Sequence, residues 1–283
     1  MNIGIVGLGL IGGCLGLDLR SLGHQVVGVS RRKQTCQMAI ERGIVDDADS
    51  TGHILSGADV VFICTPIAAI APTTLAMIPY LSSDAIITDA GSVKKPVVEA
   101  VAPLWHNFVG GHPMAGKAES GLEAAQPNLF AGKAYVLTPV ETTPPDALKT
   151  VEEIVRSLCC SVYHCRPEDH DRAVAWISHL PVMVSAGLIA ACLSETDRNI
   201  LQLAQQLASS GFQDTSRVGG GNPELGIMMA RYNRGELLRS LYQYQQSLDQ
   251  IISQIEQEDW DALEQKLKDT QLARPPFLSN EDA

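Results

Sequence analysis

The sequence predicts an α/β domain with a mainly parallel sheet, followed by a domain made of helices. Over roughly the first 165 residues, short β runs alternate with amphipathic helical segments, which is typical of βαβ units. After Arg166 nearly every segment up to Leu272 has a helical pattern. A chain of 283 residues can form two domains with separate cores, and we predict them at residues 1–165 and 166–283.

The predicted strands are short and apolar. The first covers residues 3–6, and the helix after it ends near residue 22. Further strands are predicted at residues 25–29, 59–64, 85–89, 107–110, 134–137 and 161–163. Two of them, 59–64 and 85–89, are almost continuously apolar, as in parallel strands covered on both faces. The last one closes the sheet.

A glycine-rich turn joins the first strand to the first helix. Its pattern, G-x-G-x-x-G, binds the pyrophosphate of a dinucleotide when it stands between a strand and a helix. The first glycine permits the tight turn, the second lets the backbone approach the pyrophosphate, and the third allows close packing of helix and strand. We therefore predict a Rossmann-type cofactor site made of Gly7, Leu8, Gly9, Leu10, Ile11 and Gly12.

The end of the second predicted strand distinguishes the two nicotinamide cofactors. An NAD site usually has an acidic residue there, which binds the ribose 2′-hydroxyl. This chain instead has Ser30, Arg31 and Arg32, and a hydroxyl with two guanidinium groups can bind a 2′-phosphate. The same residues could simply form an exposed basic turn. We predict NADP as the cofactor.

Three polar features follow the ends of predicted strands: Thr65-Pro66, Ser92 and His112. Ligands of open parallel sheets bind outside the carboxyl ends of the strands, so these features should converge on the nicotinamide. Thr65 and Pro66 are expected to contact the cofactor. Histidine titrates near neutrality when unperturbed, which suits a general base, and small residues around His112 leave its ring accessible. Ser92 could hydrogen-bond this imidazole and fix its tautomer.

The helical half contains a second polar set. His179 stands just before Pro181 and is either a substrate contact or a packed polar residue at a kink. Arg217 lies beside a glycine-rich loop, where it could clamp a substrate carboxylate while Asp214 orients it.

One long stripe of apolar residues, at alternating spacings of three and four, also lies in the helical half. It could pack within its own domain, but other apolar helices around it favour a homodimer: Leu241, Tyr244, Leu248, Ile251 and Ile255.

Composition and charge exclude several classes of function. The net charge of -11 argues against binding to nucleic acids or anionic membranes. No continuous apolar run reaches the roughly 18 residues that a membrane span needs, and no basic leader precedes the first strand. The seven cysteines are odd in number and form no C-x-x-C pair, so we expect free thiols in a reducing cytoplasm.

A group of cysteines and histidines at residues 159–170 raises the question of a metal site. Its spacing fits none of the usual zinc patterns. The segment 161–165 also alternates like a strand, which directs successive side chains to opposite faces. We expect no metal.

Together these motifs resemble the prephenate/arogenate dehydrogenase family of tyrosine biosynthesis. The resemblance covers essentially the whole chain and depends on an ordered set of segments: GLGLIG at 7–12, DAGS at 89–92, GHPMAG at 111–116, ISHLP at 177–181, GFxDxxR at 211–217 and RPPF at 274–277. It implies that His112 is the catalytic histidine, Ser92 its hydrogen-bonding partner, and Arg217 the clamp of the ring carboxylate. It also implies that His179 contacts the substrate and that the helical domain forms a homodimer.

The resemblance implies oxidative decarboxylation of arogenate to tyrosine with hydride transfer to NADP. The compact length and the basic turn are most similar to the arogenate enzymes of cyanobacteria and plants. The first alternative is prephenate as substrate, giving 4-hydroxyphenylpyruvate. A β-hydroxyacid dehydrogenase-like enzyme is more distant, because that group usually carries a catalytic lysine in its second domain and none lies between Lys149 and Lys266. A non-catalytic NADPH-binding protein would need no base near the nicotinamide.

Overall fold

The computed structural model describes residues 1–117 and 119–278. The chain divides into two units, Met1–Asp171 and Arg172–Ala283. This division lies inside the helix Pro167–Val174, a few residues after the boundary predicted from the sequence. The functional domain limits at 165 and 166 stay a prediction.

One eight-stranded sheet forms the centre of the first unit. The strands are β1 Asn2–Val6, β2 Gln25–Val29, β3 Asp47–Asp49, β4 Val60–Ile63, β5 Ile86–Asp89, β6 Phe108–Pro113, β7 Ala134–Thr138 and β8 Ser161–His164. Their spatial order is β3-β2-β1-β4-β5-β6-β7-β8. All neighbouring pairs are parallel except β6 and β7, which confirms the mainly parallel sheet.

Helices connect these strands and cover the sheet. They are α1 Leu10–Ser21, α2 Lys33–Glu41, α3 Ile67–Met77, α4 Lys95–Val101 and α5 Pro145–Ser157. The main core lies where α1 packs on the central strands, around Ile3, Ile5, Leu15 and Phe62, which are all fully buried. A second cluster beneath α5 includes Tyr135. The chain order reverses between β1 and β4, which is where such sheets bind dinucleotides.

Two strands differ from the sequence prediction. Strand β3 was not predicted, because its three residues are polar and carry no apolar pattern; it forms by pairing with the end of β2. Strand β6 was predicted to end at residue 110 but continues to Pro113. The antiparallel partner β7 extends the ladder, so that His112 pairs with Val136. His112 is therefore a strand residue, and its predicted loop position is wrong.

The second unit consists of helices. Helix α6, Pro167–Val174, leads into it through one π-helical turn, Ala175–His179. The others are α7 Leu180–Leu193, α8 Arg198–Leu207, α9 Ser210–Ser216, α10 Pro223–Tyr232, α11 Arg234–Glu256 and α12 Trp260–Ala273. The apolar stripe predicted in this half lies on α11, where Tyr244, Leu248 and Ile255 are exposed. The single chain thus leaves much of that stripe uncovered.

One continuous helical run in the described residues is long and apolar enough to cross a membrane by length and composition alone. It is Pro167–Leu193, with a mean hydropathy of 1.7 in its most apolar window. Only 11% of that window is buried within the chain. A single helix of this kind is weak evidence for a membrane span. The sequence contains polar residues within the run, so the expectation that no continuous apolar stretch reaches about 18 residues stands.

Candidate active site

The glycine-rich turn has the backbone geometry that its pattern predicts. Gly7 has a φ of +106°, and a side chain there would come within 2.8 Å of the Cys64 carbonyl group. At Gly12 a Cβ atom would lie 2.1 Å from the Gly7 carbonyl oxygen, so only glycine allows this packing. At Gly9, by contrast, a Cβ atom would meet no atom of the described residues within 4 Å. The turn is therefore tight at both ends and open at its middle residue.

This open position fits a dinucleotide pyrophosphate. Gly9 caps the N-terminus of α1, whose first turn contains no acidic residue. The first N–H groups of a helix lack partners within the helix and attract anions. Leu10 and Ile11 lie in this first turn, whereas the side chain of Leu8 packs against Gly28 of β2. Leu8 could thus contact a cofactor only through its backbone.

The end of β4 offers a further polar atom for the cofactor. Thr65 lies two residues after the end of β4, and its buried Oγ1 has no hydrogen-bond partner among the described residues. Pro66 caps the N-terminus of α3. A buried hydroxyl without a partner is costly, and a bound polar ligand would satisfy it. Both residues thus lie just beyond the carboxyl end of β4, the strand next to β1, where a cofactor contact is expected.

The basic turn after β2 is available to a phosphate. Arg31 and Arg32 are exposed, and neither guanidinium forms an ion pair with a described residue. The hydroxyl of Ser30 accepts a hydrogen bond of 3.4 Å from the backbone N–H of Arg32. Tertiary pairing also brings Asp49 to this corner, since the Ser30 N–H donates to the Asp49 carbonyl oxygen. The Asp49 carboxylate is held within its own turn by Thr51, whose hydrogen bond lowers the pKa of Asp49.

His112 lies almost buried, with 8% of its surface exposed, near the end of β6. A fully buried ion pair between Lys94 and Asp89 contacts the backbone of Gly111, the residue before His112. The Lys94 ammonium donates to the Gly111 carbonyl oxygen at 2.6 Å, and Asp89 Oδ1 accepts from the Gly111 N–H at 3.1 Å. Burial lowers the pKa of Lys94, and the Asp89 carboxylate opposes that lowering. The pair thus fixes the backbone on which the histidine is carried.

The imidazole of His112 is part of a chain of hydrogen bonds. Its Nδ1 lies 2.8 Å from Nε2 of His170, and Nδ1 of His170 lies 2.7 Å from Oδ1 of Asp171. Asp171 also accepts hydrogen bonds from the backbone N–H groups of Lys94 and Lys95, at 2.6 and 2.9 Å. The start of α4 is thereby linked through two side chains to His112.

The structure brings the three predicted strand ends side by side, because β4, β5 and β6 are neighbours. Ser92 follows β5 and is half-buried. No hydrogen bond between described residues joins Ser92 to the imidazole of His112, and the partner that the structure places on Nδ1 is His170. This geometry gives no direct support for Ser92 as the group that fixes the tautomer, because His170 from α6 occupies Nδ1, and that role of Ser92 stays a prediction. A contact of Ser92 with a ligand stays a prediction.

His179 is a buried residue of the helical unit. It ends the π-helical turn and is fully buried inside the helical unit. Its Nδ1 lies 3.2 Å from Nδ2 of Asn233 at the start of α11. This contact fits the packing interpretation, and a contact of His179 with the substrate stays a prediction.

Arg217 and Asp214 lie at the end of α9. Both side chains are exposed, and no ion pair joins them within the part of the chain that the structure describes. The described residues therefore give no geometric support for the orienting role of Asp214, which stays a prediction. The guanidinium itself remains accessible to a carboxylate.

No cluster of three or more potential metal ligands occurs within residues 1–117 and 119–278. The two histidines of the group that raised this question have other partners. His164 pairs with Glu152 at 3.1 Å, and His170 belongs to the chain of hydrogen bonds at His112.

Comparison with known proteins identifies the family. Residues 15–164 match the model of the prephenate dehydrogenase nucleotide-binding domain, and residues 166–269 match the model of the prephenate dehydrogenase dimerization domain. The chain belongs to the prephenate dehydrogenase family. This confirms the resemblance stated from the sequence and the two-part fold.

Family members with solved structures share nearly the whole fold. The Synechocystis arogenate dehydrogenase is 53% identical, with a TM-score of 0.88 over 98% of this chain and 100% of that one. The Aquifex aeolicus prephenate dehydrogenase, solved with hydroxyphenyl propionate and NAD+, is 27% identical, with a TM-score of 0.91 over 98% of both chains. The prephenate dehydrogenase of Bacillus subtilis is 32% identical over 90% of this chain and 70% of its own length.

Four residues that organise this site were not predicted from the sequence: Asp89, Lys94, His170 and Asp171. Asp89 belongs to a predicted motif but had no role assigned to it, and Lys94 has the appearance of an ordinary surface residue. The sequence did contain one signal for His170 and Asp171, because a histidine next to an aspartate near the start of a helix can form a hydrogen-bonded pair. The partner of that pair, His112, lies 58 residues away in sequence, and only folding reveals it.

Proposed function

We propose that this member of the prephenate dehydrogenase family acts on arogenate with NADP as its cofactor. The observation that supports the reaction class best is the placement of His112 two strands from β4, in the same unit as the glycine turn. The 53% identity to an arogenate dehydrogenase favours arogenate over prephenate. The guanidinium groups of Arg31 and Arg32, which form no ion pair with a described residue, favour NADP.

The reaction oxidises a ring carbinol and removes the carboxylate opposite to it. A nicotinamide cofactor held by the glycine turn would supply the acceptor for the hydride of the carbinol carbon. His112 takes the hydroxyl proton as general base, and loss of carbon dioxide supplies the electron pair that makes the ring aromatic. Because aromatisation makes the step irreversible, the protein has mainly to align the ring and place one base.

The proposal predicts the order of four catalytic efficiencies. We expect kcat/KM, followed as NADPH or NADH formation at about 340 nm, to be highest with arogenate and NADP. Prephenate with NADP and either substrate with NAD should be less efficient. Equal values with NAD and NADP would contradict the cofactor assignment, and higher values with prephenate would establish the alternative substrate.

The matched variant for this assay is Arg31→Ala/Arg32→Ala. It removes contacts that NADP makes in both the ground state and the transition state, so KM for NADP should rise while kcat stays near the wild-type value. KM for NAD should change little, which provides the internal control. An unchanged KM for NADP would show that these two residues do not bind the phosphate.

We further propose that Arg217 binds the ring carboxylate. A charge-assisted hydrogen bond contributes about 1.5–3 kcal/mol, so Arg217→Ala should raise KM for the substrate roughly ten- to hundredfold. NADP affinity, measured by calorimetry, should be unaffected. Asp214→Ala is the neighbouring control and should alter KM much less, since no ion pair joins the two in the described residues. An unchanged KM in the arginine variant would refute the role.

A homodimer through the helical half is the third element of the proposal. The match to a dimerization domain, the exposed stripe on α11 and the sparsely buried run Pro167–Leu193 all support it. A second copy would remove these apolar side chains from water.

The seven cysteines are free thiols, which suits the reducing cytoplasm that we propose as the location.

A further inference from the structure

We propose that His170 is a positioning residue that fixes the tautomer of His112, and that Asp171 fixes the tautomer of His170 in turn. The inference rests on the proposed function only in treating His112 as the base. It adds the atom that accepts the proton, Nε2, and the reason why that atom is unprotonated.

Asp171 is a buried residue of α6 whose carboxylate contacts the start of α4. An ionised carboxylate can only accept hydrogen bonds. Two of its bonds come from the backbone N–H groups of Lys94 and Lys95. The third contact, 2.7 Å from Oδ1 to Nδ1 of His170, therefore requires a proton on that nitrogen.

The proton on Nδ1 determines the rest of the chain. A neutral imidazole carries one N–H, so Nε2 of His170 is an acceptor. Its contact of 2.8 Å with Nδ1 of His112 then needs a donor on the His112 side. With its proton on Nδ1, His112 carries its lone pair on Nε2, and this is the nitrogen that can accept the substrate hydroxyl proton.

Burial strengthens the chain of hydrogen bonds from Asp171 through His170 to His112. His112, His170 and Asp171 are 8%, 2% and 4% exposed, so water does not readily replace their partners. Hydrogen bonds in such surroundings are electrostatically stronger than in water. Once Nε2 takes up a proton, the positive charge of His112 is stabilised by the Asp171 carboxylate through the His170 ring. The same logic governs a histidine oriented by an aspartate in other enzymes.

The tautomer can be observed directly in the intact wild-type protein. Nitrogen-15 NMR of protein labelled at histidine distinguishes protonated from unprotonated ring nitrogens. We expect His112, assigned through the signals lost in His112→Asn, to carry its proton on Nδ1 in the neutral range of pH. A proton on Nε2 in the wild-type protein would overturn the inference without any activity measurement.

Two variants test whether this chain of hydrogen bonds affects kcat. His170→Leu removes the acceptor, so His112 should lose its Nδ1–H preference and kcat should fall about ten- to hundredfold, a part of the 10²–10⁴ that positioned proton transfer contributes. KM for the substrate should stay within about threefold, since no binding contact is lost. His170→Gln keeps an amide oxygen as acceptor and should recover part of kcat.

The control is His164→Asn, which breaks another pairing of a histidine with a carboxylate, at the surface on β8. It should leave kcat and the signals of His112 unchanged. Unchanged kcat in folded His170→Leu, or equal loss in His170→Leu and His170→Gln, would overturn the positioning role. Full activity of His112→Asn would instead overturn the proposed base, and the NMR result would stand separately from it.

Discussion

Replacing His112 with asparagine is expected to lower kcat by about 10²–10⁴-fold, the usual contribution of a positioned general base. Asparagine retains an N–H group in the region of Nδ1, so it can still donate to His170, but it has no atom that takes up a proton near neutrality. Binding of substrate and of NADP, measured by calorimetry, should change little. The wild-type rate should also fall in acid, because a protonated imidazole cannot accept a proton, and the variant should lose that dependence.

The competing histidine provides the matched comparison. His179 is fully buried and contacts Asn233, so His179→Asn should mainly lower stability, seen as a lower Tm, and should keep the acidic dependence of the rate. Ser92→Ala should reduce kcat less than His112→Asn does. Near wild-type kcat in His112→Asn together with a large loss in His179→Asn would show that the base is the other histidine.

Replacing Lys94 with methionine is expected to lower the free energy of unfolding by about 3–5 kcal/mol, because the Asp89 carboxylate would remain buried without its partner. The side chains of Lys94 and Asp89 are both fully buried. Since the Lys94 ammonium also holds the Gly111 carbonyl oxygen, kcat should fall in the same variant. Urea titration followed by circular dichroism measures the change in the free energy of unfolding.

The adjacent lysine is the control for this prediction. Lys95 is exposed and lies 3.9 Å from Glu99, so Lys95→Met should change the free energy of unfolding by less than about 1 kcal/mol. Lys94→Met/Asp89→Asn should be more stable than Lys94→Met alone, because the double variant removes the uncompensated charge. A stability of Lys94→Met equal to that of Lys95→Met would contradict the structural role of the pair.

Local patterns were sufficient for the outline of the fold and the cofactor turn. The turn at residues 7–12 could be predicted because its constraints act within a few residues: a positive φ at Gly7 and a lack of room at Gly12. The change from alternating strands and helices to helices alone was also predictable from the sequence, because the spacing of apolar residues in each segment reflects which of its faces is buried. Strand β3 was not, because three polar residues become a strand only when β2 lies beside them.

The outline of the site followed from the same logic. Strand ends in a parallel sheet share one edge, so Thr65, Ser92 and His112 could be placed together from the sequence. The extent of β6 could not be predicted, because the antiparallel partner β7 lies more than twenty residues further along the chain.

The family, the order of all strands except β3 and the proposed base could be predicted from the sequence alone. What surrounds that base became known only from the tertiary structure: a buried ion pair beneath Gly111, and His170 with Asp171 at Nδ1. The tertiary structure also placed His179 in contact with Asn233 and showed no ion pair between Arg217 and Asp214 within the described residues. The physical reason is that patterns record which residues are buried, whereas hydrogen-bond partners are set by distances between segments that meet only after folding.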